Sequence, residues 1–143
     1  MKNNFIKSII IGTFAGFVLG LLLWWMEKIT GEKVYTLLLN VDFIFQGIRL
    51  SLWIEWLFHL IISWLLVYIY LIMLQFCKTW FRRLLLILLL SFLAASSYIP
   101  LTILAIKETP ALTNGIAIML WTMGHLFYGI SVFYFSNFLH VHK

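Results

Sequence analysis

The sequence predicts an all-α fold, a polytopic four-transmembrane-helix bundle, and two observations support this. Hydrophobic residues make up 64% of the 143 residues and charged residues only 10%, whereas a soluble domain is roughly half apolar and a quarter charged. Four apolar segments each reach the length of about 20 residues that a helix needs to cross a hydrocarbon core of about 30 Å. These segments are residues 6–26, 50–76, 84–106 and 112–139. We therefore expect a single transmembrane domain covering residues 1–143.

The first segment carries a regular stripe of glycines. In GTFAGFVLG, Gly12, Gly16 and Gly20 recur every four residues and so share one helix face. A Gly-x-x-x-Gly face lets a second helix approach closely. The pattern predicts either packing within the same bundle or formation of a homodimer or a larger membrane complex.

The connection between the first two segments contains VYTLLLNVDFIF, residues 34–45. This stretch is too short to span and too apolar for a solvated loop, so it predicts an interfacial or re-entrant segment on the outer face. Trp24, Trp25, Trp53 and Trp56 fall at the same boundary. Tryptophans in this position are typical of the aromatic belt that meets lipid headgroups.

The charges indicate orientation. The short loop KTWFRR is basic and has no acidic residue, while the opposite side carries four acidic and four basic residues: Glu27, Glu32, Asp42, Glu108, Lys28, Lys33, Arg49 and Lys107. Because basic residues favour cytoplasmic loops, both termini should be cytoplasmic. The basic residues on that side are Lys2, Lys7, Lys78, Arg82, Arg83 and Lys143. They are scattered at helix ends, which favours membrane lipids rather than nucleic acid as partners.

Polar residues inside the apolar segments predict a site. Glu55, His59 and Ser63 are spaced by four residues and form one helical stripe. A central carboxylate facing lipid would cost about 2.5 to 3.5 kcal/mol, so the stripe should face the protein interior. At about 1.5 Å per residue, His59 on the second segment and His125 on the fourth lie at the same depth.

The third segment brings a polar break to that depth. Ser96, Ser97 and Tyr98 precede Pro100, which lacks an N–H and frees a carbonyl about one turn earlier, so a kink is expected there. Polar residues from three segments should therefore meet inside the bundle.

Three interpretations of this cluster remain open. It could be a hydrogen-bond network that fixes helix register. It could bind a proton or a divalent metal such as zinc, with Glu55, His59 and His125 as ligands. The two level histidines also fit a bis-histidine haem. The corresponding functions are a non-enzymatic accessory or stress-related component, a transporter, channel subunit or ion-binding protein, and an electron carrier.

Known catalytic motifs do not add a fourth interpretation. The sequence contains no Gly-x-Ser-x-Gly elbow, P-loop or His-Glu-x-x-His. Cys77 is the only cysteine, so a disulfide within the chain or a cysteine-based zinc site is excluded. No catalytic residue is predicted.

Three stretches, IGTFAGFVLGLLLWW, WLFHLIISWLLVYIYLIML and WTMGHLFYGISVFYF, resemble small bacterial inner-membrane proteins of the YagU-like and YqhR-like groups. The resemblance implies four helices in a bacterial cytoplasmic membrane and supplies no established catalytic residues. The chain departs from the YagU-like pattern in having few prolines between its apolar segments.

Overall fold

A computed structural model of the chain describes residues 2–45, 48 and 50–141, except for the side chains at 2 and 139–141. Within these residues every regular element is helical, as the sequence predicts. The elements are α1 (Lys2–Thr30), α2 (Val34–Leu38), α3 (Leu52–Met73) with a 3₁₀ turn (Leu74–Phe76), α4 (Trp80–Ala95), α5 (Tyr98–Leu104) and α6 (Gly115–Val141).

In the part of the chain that the structure describes, four helical stretches are long and apolar enough to cross a membrane: Asn3–Thr30, Leu52–Phe76, Trp80–Leu104 and Gly115–Phe138. They coincide closely with the four predicted segments. The first is longer than expected because the helix continues through Glu27 to Thr30. The residue after the helix is Gly31, whose φ is 78°. This lies in the left-handed region of backbone conformation, which glycine adopts with little strain.

Helix α1 is the element around which the others pack. Helix α3 lies along one side of α1 and α6 along another, and α4 packs on α6. Although α3 and α4 are consecutive long helices, they contact each other far less than either contacts its main neighbour. The arrangement therefore leaves a gap between α3 and the α4–α5 stretch.

The glycine stripe of α1 is covered by α3 of the same chain. A Cβ placed on Gly12 would lie 2.9 Å from Trp64 Cδ1 and 3.1 Å from the Trp64 backbone, and one on Gly16 would lie 3.0 Å from Leu60 Cδ2. Gly20 is covered in the same way by the Trp56 ring. These contacts favour packing within the chain over a homodimer formed through this face.

The expected kink is a full interruption between α4 and α5. Pro100 has no N–H, and Ile99 N donates to the Ser96 carbonyl at 3.3 Å rather than to the residue four positions back. The Ala95 carbonyl instead accepts from Trp121 Nε1 of α6 at 2.8 Å. A side chain from α6 thus satisfies the backbone group that the break would leave unpaired.

The apolar connection after α1 folds back on that helix. Among the described residues of this connection, only the five of α2 are helical, and Val34 and Leu37 are buried. The Glu27 carboxylate accepts from both the N–H and the hydroxyl of Thr36 at 2.9 Å. The residues from Leu39 to Phe45 form turns and irregular backbone, and several of them line the gap between α3 and α5.

Candidate functional site

A cavity of about 370 Å³ occupies the gap between α3 and the α4–α5 stretch. Leu19 of α1 and Trp121 of α6 contribute to its inner wall, and Val41 and Phe43 of the connection after α2 also line it. Most of the lining is apolar. The polar residues among the lining are Asn40, His59, Ser63, Ser97, His125 and Tyr128.

His59 reaches the cavity because the glycine stripe lets α3 approach α1. Its Nε2 lies 3.1 Å from the Gly16 carbonyl oxygen. Since a carbonyl only accepts, Nε2 carries the hydrogen and donates, which leaves Nδ1 of the neutral ring with a lone pair. The Trp56 ring meets the imidazole edge to face, with centroids 5.7 Å apart.

His125 is held by its own helix. Its Nδ1 lies 2.9 Å from the Trp121 carbonyl, so the same reasoning makes Nδ1 the donor and Nε2 the lone-pair nitrogen. The imidazole packs against the Trp121 ring at a centroid distance of 4.6 Å. Trp121 therefore orients His125 while also satisfying the α4–α5 break.

Ser63 links three helices below the histidines. Its Oγ donates to the Gly12 carbonyl at 2.7 Å and lies 2.9 Å from the Tyr128 hydroxyl. Because the only Ser63 hydroxyl hydrogen points to Gly12, Tyr128 is the donor in the second bond. Helices α1, α3 and α6 are thus joined by one buried serine.

Asn40 is the least expected polar residue at the cavity. Its side chain is 1% exposed, and its Oδ1 accepts from the Asp42 N–H at 3.1 Å. Its Nδ2 has no hydrogen-bond partner in the part of the chain that the structure describes. Buried donors without partners are uncommon in folded proteins, so this amide is a candidate ligand contact.

Glu55 does not join the histidines, contrary to the prediction. Its carboxylate forms an ion pair with Lys107 from the connection between α5 and α6, and its side chain is 10% exposed. Asp42 accepts from the backbone N–H groups of Ile106 and Lys107 at 3.2 and 2.7 Å. These contacts fasten the connection after α5 to α3 and to the segment after α2.

The structure does not bring the three side chains of the metal-site interpretation together. Among the described residues, no group of three or more His, Cys, Asp and Glu side chains could hold a metal ion. The four-residue spacing placed Glu55 on the same helix face as His59, but the carboxylate turns toward Lys107. His59 and His125 share the cavity without a carboxylate beside them.

The polar break contributes one residue to the cavity instead of three. Ser97 lines it, whereas Ser96 is exposed and donates to the Leu93 carbonyl of its own helix. Tyr98 is buried but donates to the Ala111 carbonyl at 2.9 Å. Neighbouring residues in a break point in different directions, which depth alone cannot reveal.

All five acidic residues form hydrogen bonds or ion pairs at the end of the molecule that carries the connections after α1 and α5. Besides Glu27, Asp42 and Glu55, Glu32 accepts from Asn114 at 2.7 Å and Glu108 pairs with Lys33. The hydrogen bond and positive charge of Lys33 lower the pKa of Glu108. Any stability from this exposed pair is therefore lost as the pH falls through that lowered pKa.

Sequence reasoning missed Asn40, Trp121, Tyr128, Asp42 and Lys107. Asn40 and Asp42 stand out as polar residues in an otherwise apolar stretch, and Tyr128 lies one helical turn beyond His125. These three could therefore have been recognised from the sequence as candidate site residues. No feature of the sequence indicated the role of Lys107, because that role depends on how the connection between α5 and α6 folds.

Comparisons of the chain with protein-family models, with curated proteins and with solved structures found no match.

Proposed function

We propose that the chain is a multi-pass protein of a bacterial cytoplasmic membrane. Four apolar helices of spanning length support this, as do the many large apolar side chains exposed along them, such as Phe14, Leu65, Leu89 and Ile116. A water-soluble surface rarely exposes apolar patches of that extent. The bacterial assignment rests on the resemblance to the YagU-like and YqhR-like groups.

The proposed orientation places both termini in the cytoplasm. The α3–α4 turn and the N-terminal turn of α1 are basic, whereas the opposite end carries every acidic residue. This asymmetry supports the orientation through the positive-inside tendency. Lys143 contributes to it by sequence only, since it lies outside the described residues.

Within this membrane protein, we propose a non-enzymatic accessory role: the cavity between α3 and the α4–α5 stretch binds the chain of a membrane amphiphile. The observation that carries the proposal is the exposure of apolar lining at the mouth of the cavity. Ile44, Ile62 and Leu104 line it and are 55%, 60% and 49% exposed. An opening bordered by such side chains would face lipid tails rather than water. A lipid-like molecule can therefore enter the cavity laterally from the bilayer.

Adjacent serines of the α4–α5 break provide a matched test. Ser97→Leu adds an apolar side chain to the cavity lining, while Ser96→Leu adds the same group to an exposed position outside it. Full-length protein extracted in mild detergent should retain a bound amphiphile in native mass spectrometry. Ser97→Leu should lose that mass and Ser96→Leu should keep it. Absence of any retained amphiphile in the unmodified protein, or equal retention by both variants, would overturn the proposal.

A further inference from the structure

The polar groups of the cavity include at least three hydrogen-bond acceptors. His59 and His125 each use their N–H on a backbone carbonyl, so the second nitrogen of each neutral ring can only accept. Neither second nitrogen has a hydrogen bond within the described residues. Tyr128 uses its hydrogen on Ser63, so its oxygen also has accepting capacity left.

The cavity lining also includes a fully buried donor, the side-chain amide of Asn40. Asn40 Nδ2 is buried and unpaired among the described residues. The amide orientation is fixed by the Asp42 N–H, which donates to Oδ1 and so places the NH₂ group on the other side. Leaving such a donor without any partner destabilises the folded protein, so a ligand that accepts from it gains affinity.

The complementary head group must both donate and accept. An ester, ether or ketone oxygen accepts from Asn40 but leaves the imidazole nitrogens unused. An ammonium group donates to the imidazoles but offers nothing to Asn40. An alcohol hydroxyl does both, and a single uncharged hydroxyl is inexpensive to bring into an apolar cavity compared with a charge.

We propose that the occupant is an amphiphile with a hydroxyl head, such as a long-chain or prenyl alcohol, an inference that rests on the cavity-binding role proposed above. The hydroxyl donates to an imidazole nitrogen of His59 or His125 and accepts from Asn40 Nδ2. The apolar chain extends past Ile62 and Leu104 toward the surrounding lipid. No bond in the ligand is made or broken.

A series of ligands with one chain length tests this in the unmodified, full-length protein. Labelled hexadecanol, hexadecyl methyl ether and hexadecylamine are bound to protein in nanodiscs, and partitioning into empty nanodiscs is subtracted. Hexadecanol should bind about tenfold more tightly than either analogue, the effect of one lost hydrogen bond in a dry site.

The outcomes separate the two proposals. Equal binding of the alcohol and the ether would overturn the hydroxyl inference and leave the cavity-binding role standing. No binding of any of the three above empty nanodiscs would overturn both.

Variants then identify the imidazoles as the acceptors. His59→Phe and His125→Phe keep an aromatic ring but remove the lone-pair nitrogen, so each should lower the alcohol-to-ether affinity ratio while ether binding persists. Thr122→Val on α6 is the control, because its hydroxyl donates to Ile118 of the same helix and it does not line the cavity. A ratio unchanged in both histidine variants would overturn the inference. Where a variant does not fold, the ligand series in the unmodified protein decides.

Discussion

At the scale of single residues, the ion pair between Glu55 and Lys107 links helix α3 to the connection between α5 and α6. Glu55 is almost buried, whereas the Lys107 side chain is 45% exposed. Solvent therefore screens the pair in part, and its strength should fall between that of a surface pair and that of a buried one. The ordinary hydrogen bonds of Asp42 to the same connection add a second point of attachment.

We predict that Lys107→Met lowers the free energy of unfolding by about 1 to 2 kcal/mol, because it leaves the Glu55 carboxylate poorly solvated. Unfolding in mixed micelles measures this. Lys107→Met combined with Glu55→Gln should recover part of the loss, which is the signature of a coupled pair. Lys33→Met is the control. It breaks the exposed pair with Glu108 and should cause no measurable change. Additive effects of the two substitutions at 55 and 107 would contradict the prediction.

The sequence predicted part of the site at this scale. His59, Ser63, Ser97 and His125 do line one cavity, because residues at the same depth on helices that face a common space must meet. The same reasoning gave a wrong position for the Glu55 carboxylate. Depth does not fix the direction of a side chain, and its partner Lys107 lies in a connection whose path the sequence does not determine.

At the scale of helices, the close contact between α1 and α3 makes the buried hydrogen bonds possible. His59 and Ser63 donate to the carbonyls of Gly16 and Gly12, and these carbonyls also belong to the helical backbone of α1. A side chain on either glycine would separate the helices and lengthen both bonds. The stripe thus serves packing and positions the site at the same time.

We predict that Gly12→Ala costs about 1 to 3 kcal/mol, the usual range for overpacking. The added Cβ would lie 3.1 Å from the Trp64 backbone, which cannot rotate away. Gly16→Ala should cost less, because its nearest neighbour is the flexible end of Leu60. The free energies of unfolding of the two variants, measured in mixed micelles, show which substitution costs more.

The control for this series is Gly115→Ala, since a Cβ at Gly115 meets nothing within 4 Å. It should cause no loss of stability. If Gly12→Ala is as stable as the unmodified protein, the helices are not in close contact along this stripe.

The positions of the helices along the chain were easier to predict than which helices pack against each other. Hydrophobic length identified all four long stretches, and Pro100 identified the break between α4 and α5. The order of packing around α1 could not be predicted, because apolar residues cover every side of these helices and so do not mark the face that packs. The polar stripe marked the inner face of α3 and the glycines marked a face of α1, but the glycines left the choice between α3 and a second copy open.

At the scale of the whole molecule, charge and polar bonding divide the chain into two unlike ends. One end has the connections held together by the bonds of Glu32, Asp42 and Glu55. The other end is basic and contains no acidic residue. Translocating several basic residues is disfavoured, so the two ends should face different compartments.

We predict that the acidic end faces outward and the basic α3–α4 turn faces the cytoplasm. In a Cys77→Ser background, which removes the only cysteine, Glu108→Cys and Lys78→Cys each introduce one exposed thiol. A membrane-impermeant maleimide added to spheroplasts with an intact cytoplasmic membrane should label Glu108→Cys. It should label Lys78→Cys only after permeabilisation, because that thiol lies behind the bilayer. A cytoplasmic reporter fused after Lys143 should be active for the same reason. Labelling of Lys78→Cys in intact spheroplasts would contradict the orientation, and labelling of both thiols would contradict the assignment of the two ends to different sides.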